Sequence, residues 1–471
     1  MEKVECIVVG GGLAGLSAAY GLASEGFEVM LLERGDYAGA KNVTGGRLYL
    51  SPIRNIYPEL WEAAEALDRE GPEAPFERPV VRELVTMMSP GAQTTIEIAA
   101  DRFGGARPQS YTVVRARLDQ WLADRVTEKG VMVVPKMKVD ELLVEPASEA
   151  GAADAADPML DAAGTRVGIA GAGAGPRPPR VIGIRAGGDE IGADVVVVAE
   201  GALGLLSSAA QLREEPQPEH YAVGYKEVVE LPAGTIEDRW HLNPGEGAAQ
   251  LFMGALTRGM TGGGFLYTNR DSISLGIVVA MHQMKDRGDE LESWQLLDEF
   301  KELAQIKPLV AGGTVAEYSA HAIPEGGIAQ VPPLCGDGYV LVGDAAGLSL
   351  NALVTVRGMD FAIASGYYAA RAIAAAKKAD DYSVAGLASY EASLRSSFVL
   401  QDLETARAYP RIIENPRLFT RYPELATRLL QDVYTVGPGP TTGIVKKALR
   451  DVRGELLRPS TWRDVWEMRK L

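Results

Sequence analysis

Short runs rich in Val and Ile recur at Val4 to Val9, Glu28 to Leu32, Val195 to Ala199 and Tyr339 to Val342, and apart from Glu5 and Glu28 they are apolar rather than alternating. That pattern predicts strands buried on both faces, and the alanine-rich helical stretches beside them predict a parallel sheet covered by helices. Because the runs lie far apart in sequence, the domain they build is discontinuous. Ala222 to Pro232, Gly263 to Thr268, Ser272 to Ala280 and Val315 to His321 read instead as extended, alternating segments separated by turns. They predict a second, largely antiparallel sheet. Helical patterns dominate from about Asp380 to the end. The expected fold class is therefore α/β, with an inserted, largely antiparallel β-sheet domain and a helical C-terminal region. The expected boundaries are 1–80, 113–215 and 326–380 for the first domain, 81–112 and 216–325 for the second, and 381–471 for the helical part.

One stretch breaks the pattern. Pro146 to Pro179 is dominated by Ala, Gly, Pro and Asp, so it can bury little surface and is expected to be a mobile insertion between two strands. Gly171 to Gly175 within it imitates a nucleotide-binding turn, but no strong strand precedes it and Pro176 and Pro178 block a following helix.

Charge and cysteine content narrow the class. The chain has 471 residues, with 63 acidic against 47 basic side chains and a net charge of −16, which repels phosphate backbones over most of its surface. Nucleic acid is not expected as a partner. Cys6 and Cys335 are the two cysteines, too few for a disulfide framework or a four-thiolate cluster, so any iron–sulfur centre must sit on another chain. The start runs straight into a strand without a secretory pattern, and no stretch approaches the roughly 18 apolar residues of a membrane span. A cytoplasmic protein is expected, with any membrane contact peripheral on the inner face of the cytoplasmic membrane. His220, His241, His282 and His321 lack ligand spacing, so no metal site is expected. His321 reads first as a structural histidine and second as a proton donor.

The strongest motif follows the first run. Gly10, Gly12 and Gly15 form G-x-G-x-x-G between the Val4 to Val9 strand and a helix containing Leu16 to Leu22. Gly10 allows the tight turn, Gly12 lets the backbone approach a pyrophosphate, and Gly15 lets helix and strand pack closely. The helix N-terminus supplies amides and positive dipole. Glu33 ends the next strand, where its carboxylate can accept both ribose hydroxyls of an adenosine.

The motif alone does not separate FAD from NAD, but three downstream features favour FAD. A polar, glycine-rich loop from Arg34 to Arg47 is long enough to wrap a ribityl chain. Arg115 precedes a helix expected to begin near Asp119, where it could pair with phosphate or ribityl oxygens. Tyr339 to Val342 ends in Gly343-Asp344, which places a carboxylate at the C-terminal edge of a sheet, where ligands bind in open α/β folds. No cysteine pair suits a dithiol relay and no second dinucleotide fingerprint is credible, so electrons are expected from a protein partner rather than from NADH.

Gly39 to Tyr49, Met260 to Asn269, Glu317 to His321 and Arg357 to Asp360 occur together and in order. With them the chain strongly resembles the FixC family, which groups with electron transfer flavoprotein–quinone oxidoreductases and, more distantly, with geranylgeranyl reductases and aromatic hydroxylases. The resemblance covers nearly the whole chain apart from the 146–179 insertion and Leu353, which stands where the family usually has a glycine. It implies a Rossmann-like FAD-binding domain holding noncovalent FAD. The implied contacts are Gly10, Gly12, Leu13, Ala14 and Gly15 of the turn, Glu33 and Arg34 after the second strand, and Lys41, Asn42, Gly45, Gly46 and Arg47 of the loop. Arg115, Val139, Ala199, Gly201, Gly343, Asp344, Thr355 and Val356 complete the set. A helix starting near Thr355 to Gly358 would aim its N-terminus at the flavin pyrimidine. Gly262, Gly263, Gly264 and Phe265 match the segment lining the quinone pocket, although a glycine-rich strand packed tightly for structural reasons reads equally well.

By the same resemblance the partners would be electron transfer flavoprotein subunits, a ferredoxin-like iron–sulfur subunit and a quinone. A geranylgeranyl reductase-like enzyme and a flavin-carrying wire within an electron-bifurcating complex are the alternatives. The segment Lys446 to Leu471 reverses the overall charge and places Trp462 and Trp466 on one helical face, which suits docking of an acidic ferredoxin-like subunit.

Overall fold

The computed structural model describes residues 2–42, 46–67, 71, 73–145, 178–288, 291–436, 438, 443, 453–455 and 457–469. Most of the 146–179 insertion, Gly45, and 444–452 with 470–471 of the basic tail therefore lie outside the described residues. From the N-terminus, β1 (Glu2–Val9) and β2 (Val29–Leu32) flank the helix Leu13–Ser24, and β3 (Gly46–Tyr49) follows. Next come β4 (Val80–Ser89), β5 (Ala92–Ala99), β6 (Ser110–Val113), the helix Arg115–Glu128, β7 (Met132–Val134) and β8 (Val139–Glu145). Beyond the undescribed stretch lie β9 (Arg180–Ala186), β10 (Asp189–Val198), β11 (Tyr221–Glu230), β12 (Gly247–Gly254), β13 (Gly262–Thr268), β14 (Ser272–Ala280) and β15 (Thr314–Pro324). The short strands β16 (Cys335–Gly336), β17 (Tyr339–Leu341), β18 (Leu350–Asn351) and β19 (Val356–Arg357) precede the long helix Met359–Ala379.

The predicted apolar runs assemble into one sheet in the order β16-β17-β10-β1-β2-β7, with β9 and β8 added at β10. β1, β2, β7, β10 and β17 pair parallel, so Val9, Leu32, Val198 and Leu341 all end at one edge. Cys6, Ile7, Val8, Val196 and Val197 are fully buried, which is why these strands carry no polar alternation. Leu13–Ser24 packs against Met359–Ala379 through small residues: a side chain at Gly366 would come 2.3 Å from the Ala14 carbonyl. The contact is closed by Ser17 Oγ, which donates to the Ile363 carbonyl at 2.7 Å.

The alternating segments form the second sheet, in the order β15-β11-β14-β13-β12-β4-β5. Its pairs are antiparallel except β12 with β4. Ile273, Leu275, Ile277 and Val279 of β14 point one way into a core with Leu296, Leu297 and Phe300 of the helix Ser293–Glu302. Ser274, Gly276 and Val278 must then face the opposite side, toward the first sheet. The C-terminal part is helical as expected. Its last described helix, Pro459–Met468, is anchored by the buried Asp464, which accepts from Arg417 Nε at 2.7 Å and from Tyr422. These contacts, Arg417 first, hold the Asp464 carboxyl down at about 2. Trp462 and Trp466 lie on the exposed side of that helix. Among the described residues no helix is long and apolar enough to cross a membrane.

Candidate functional site

One cavity of about 920 Å³ runs from the β1 turn to the inner face of the second sheet. That is near the upper end of the usual size for a small-molecule or cofactor site. Its first end is built by the glycine motif. Gly10 has φ +110° and a side chain there would meet the Ala199 carbonyl at 2.3 Å, so the turn requires glycine. A side chain at Gly12 would meet only Asn42 Nδ2, at 3.8 Å, so at that point bare backbone faces the cavity. The following helix has no side-chain cap at its N-terminus. Its first-turn amides and positive dipole are therefore available to an anion, and a pyrophosphate suits both the shape and the charge of this end.

Beside the turn, the Glu33 carboxylate is buried and accepts the Gly11 amide at 2.8 Å and the Gly35 amide at 2.6 Å. These bonds fix it at the C-terminal edge of the sheet with lone pairs left for a ligand hydroxyl. Asp344 follows β17 at the same edge. Burial raises its pKa, and the nearby Arg115 charge opposes the rise. The cavity thus presents uncapped helix amides, the Glu33 carboxylate and, farther along, the Asp344 carboxylate, a donor and acceptor set that fits FAD.

The cavity wall brings together most of the expected residues: Gly10, Gly12, Leu13, Ala14, Glu33, Arg34, Lys41, Asn42, Gly46, Arg47, Arg115, Val139, Ala199, Gly201, Asp344, Val356 and Gly262 to Phe265. Gly15, Gly343 and Thr355 are not part of that wall. Gly15 acts through packing, since a side chain there would meet the Gly10 carbonyl at 2.1 Å and Val8 at 3.1 Å. Gly343 lies against Ala14 in the same way, at 2.8 Å.

At four positions the structure adds detail to the expected reading. The helix expected near Asp119 begins at Arg115, and Arg115 donates to Asp119 through Nε and Nη2, both at 2.8 Å, one turn on. Burial works against the Arg115 charge, but Asp119 outweighs it and holds the guanidinium above its ordinary pKa. Asp119 also accepts from Asn42, so Arg115, Asp119 and Asn42 form one connected unit. Arg47 reaches the wall, yet its fork is committed to Glu83 and to Ser110 Oγ at 2.9 Å. The helix expected to start near Thr355 to Gly358 has Gly358 as its N-cap and runs from Met359, after β18 and β19 have formed a hairpin. Thr355 sits in the hairpin loop, where its carbonyl accepts the Ala352 amide at 2.9 Å.

Leu353 is the fourth. It occupies the left-handed region, φ +65°, so the glycine-like backbone persists with a leucine in place. The Asn351 side chain holds this turn by accepting the Leu353 amide at 3.0 Å. As for Gly262 to Gly264, their lack of side chains has a packing cause. Side chains at Gly262 and Gly263 would meet the Val278 and Phe252 carbonyls at 2.1 and 2.5 Å, and one at Gly264 would meet Leu256 at 2.8 Å.

The cavity wall also includes residues not expected as site residues, among them Lys226, Tyr267, Glu325 and Arg357. Arg357 pairs with Asp360 and Asp402 beside the long helix's N-terminus. Glu325 accepts from Asn351 at 2.9 Å, and burial raises its pKa. His321 lines the cavity as well. The available signal for Lys226 was a lone cation within the extended segment Tyr221–Glu230.

A family model for an NAD(P)-binding Rossmann-like domain matches residues 8–50, and one for the ETF-QO/FixC family C-terminal domain matches residues 409–471. The probable electron transfer flavoprotein-quinone oxidoreductase YdiS of Escherichia coli (strain K12) is 38% identical over 445 residues, covering 94% of each chain. Protein FixC of Salmonella typhi is 37% identical over 95% of this chain and 94% of its own. Protein FixC of Azorhizobium caulinodans is 36% identical over the same shares. Among solved structures, a geranylgeranyl bacteriochlorophyll reductase-like protein from Thermoplasma acidophilum has a TM-score of 0.66 at 18% identity, covering 95% of this chain and 96% of its own. The flavin-dependent brominase Bmp2 has a TM-score of 0.60 at 14% identity, covering 99% and 98%. These two show the fold. With relatives this similar along nearly its whole length, and with a dinucleotide turn opening into the cavity, the chain belongs to the ETF-QO/FixC family and is an FAD-dependent oxidoreductase.

Proposed function

We propose that this oxidoreductase receives electrons from an electron transfer flavoprotein, through a ferredoxin-like subunit, and passes them to a quinone. The observation that carries the reading is the continuity of the cavity from the Gly10 to Gly15 turn to the Gly262 to Phe265 strand. A cofactor seated at one end leaves space for an acceptor at the other. The match along nearly all of a probable electron transfer flavoprotein-quinone oxidoreductase supports the choice of acceptor. FAD, when bound, supplies the redox chemistry by taking up and releasing electron pairs. In this reading the first-turn amides at Leu13 and Ala14 hold the pyrophosphate, Glu33 accepts the ribose hydroxyls and Asp344 accepts a ribityl hydroxyl. Arg115 is positioned by Asp119 to face the cofactor rather than to swing toward solvent. The inner face of the second sheet closes the acceptor end.

FAD is expected to copurify noncovalently at about one per chain. Anaerobic reductive titration should bleach it, and addition of a water-soluble quinone should restore the oxidised spectrum. A reduced protein that stays bleached with quinone but recovers with ferricyanide would remove quinone as the acceptor.

A further inference from the structure

The second sheet presents one face to its own core and the other to the cavity. On the cavity face, strand pairing sets Lys226 of β11 opposite Gly276 of β14, and Gly276 opposite Phe265 of β13, in one row. A side chain at Gly276 would meet Phe265 Cζ at 2.5 Å and Lys226 Cβ at 2.8 Å. The glycine thus leaves the room in which the aromatic ring lies beside the lysine, whose Nζ is 5.5 Å from the ring centroid. In the next row Gly224 pairs with His321 of β15, which makes His321 a diagonal neighbour of Lys226. Glu317 is the diagonal neighbour on the other side, opposite Val228.

The charged groups acting on this pair are Glu317 of β15, Arg115 at the start of the helix Arg115–Glu128, and Arg34 in the loop after β2. Lys226 is half-buried against the cavity, and desolvation, then the Arg115 charge, bring its pKa down to about 7, with Glu317 opposing. Desolvation, then Arg115, Lys226 and Arg34, bring His321 down to about 4. Near neutral pH the histidine is thus uncharged while the lysine exchanges its proton.

We infer, on the quinone reading above, that Lys226 is the proton donor to the acceptor, which lies with a carbonyl oxygen against the Lys226–Phe265 row, and that His321 passes a replacement proton to the lysine. A quinone becomes a quinol by gaining two electrons and two protons. The electrons and one proton come from the reduced cofactor, the second proton leaves the Lys226 ammonium, and the amine regains one from solvent through His321. Bonds change only at N–H and O–H.

Trace acetylation of the FAD-loaded protein with acetic anhydride from about pH 5 to about pH 10, followed by peptide mass spectrometry, reads the lysine's titration without turnover. Lys226 should label along a curve centred near neutral pH, and a soluble quinone should protect it. Labelling that begins only in the range of an ordinary exposed lysine overturns the assignment. Stopped-flow reoxidation of the reduced protein then compares quinone with ferricyanide, which takes electrons without protons. The ratio of the two rates should fall by about 100-fold in Lys226→Met. It should fall likewise in Lys226→Arg, which keeps the charge but holds its proton. A wild-type ratio in either variant sinks the proton donor while leaving the quinone reading intact. Failure of quinone to oxidise the wild-type protein, with ferricyanide succeeding, ends both.

Discussion

Replacing Glu33 by glutamine is expected to weaken FAD binding by about 1.5–3 kcal/mol, roughly a 10- to 150-fold rise in Kd. Two effects act in the same direction. The first is loss of the charged acceptor proposed for the ribose. The second was not visible in the sequence: the two carboxylate oxygens separately accept the amides of Gly11 and Gly35. A glutamine can offer an oxygen to only one of them and must turn its own NH2 toward the other, so donor meets donor beside the pyrophosphate turn. Flavin-fluorescence titration of the apoprotein measures the change, and an unaltered Kd would take Glu33 out of the site. Circular dichroism of the same sample separates weakened binding from a collapsed turn.

Arg78→Met is expected to destabilise the fold by about 3–5 kcal/mol, the range for removing one partner of a buried ion pair. Arg78 is 2% exposed. Its Nε donates to the Asn269 carbonyl at 2.6 Å, Nη1 to Glu237 and the Glu246 carbonyl at 2.8 and 2.9 Å, and Nη2 to the Arg270 carbonyl at 2.8 Å. Methionine fills much of the stem volume but leaves Glu237 and three carbonyls without this donor. The guanidinium fastens the start of β4 to the turn between β13 and β14, so its loss loosens the sheet that lines the far end of the cavity. Urea denaturation followed by tryptophan fluorescence should show a lower midpoint. Arg78→Lys should recover only part of it, because an ammonium cannot reproduce the fork. An unchanged midpoint in Arg78→Met would show that the carbonyls find other donors.

The cofactor end was legible because its parts are contiguous. Strand, glycine turn, helix and acidic residue follow one another within residues 4–33, so local periodicity and spacing already define the geometry. The Gly343-Asp344 edge was legible for the same reason: a buried strand announces where its last residues lie. The order of strands in each sheet was not legible, since pairing is decided by packing between distant segments.

Arg115 shows where reading from position fails. A helix start and an arginine were both visible, but the helix began early enough to place Asp119 one turn away, and the charge acquired a protein partner. Leu353 shows the reverse: leucine resists positive φ, yet the β18–β19 hairpin and the Asn351 side chain hold it there. The end of the cavity at the second sheet depended most on tertiary structure. Lys226 and His321 lie on strands far apart in the chain, and only the register of β11 with β15 makes them neighbours. The sequence by itself determined a dinucleotide turn, two kinds of sheet and the family resemblance, because these rest on local propensity and burial period. The tertiary structure alone decided which charges meet in the cavity, because side-chain direction in a sheet reverses with each residue and a shift of one position would have turned Lys226 into the core.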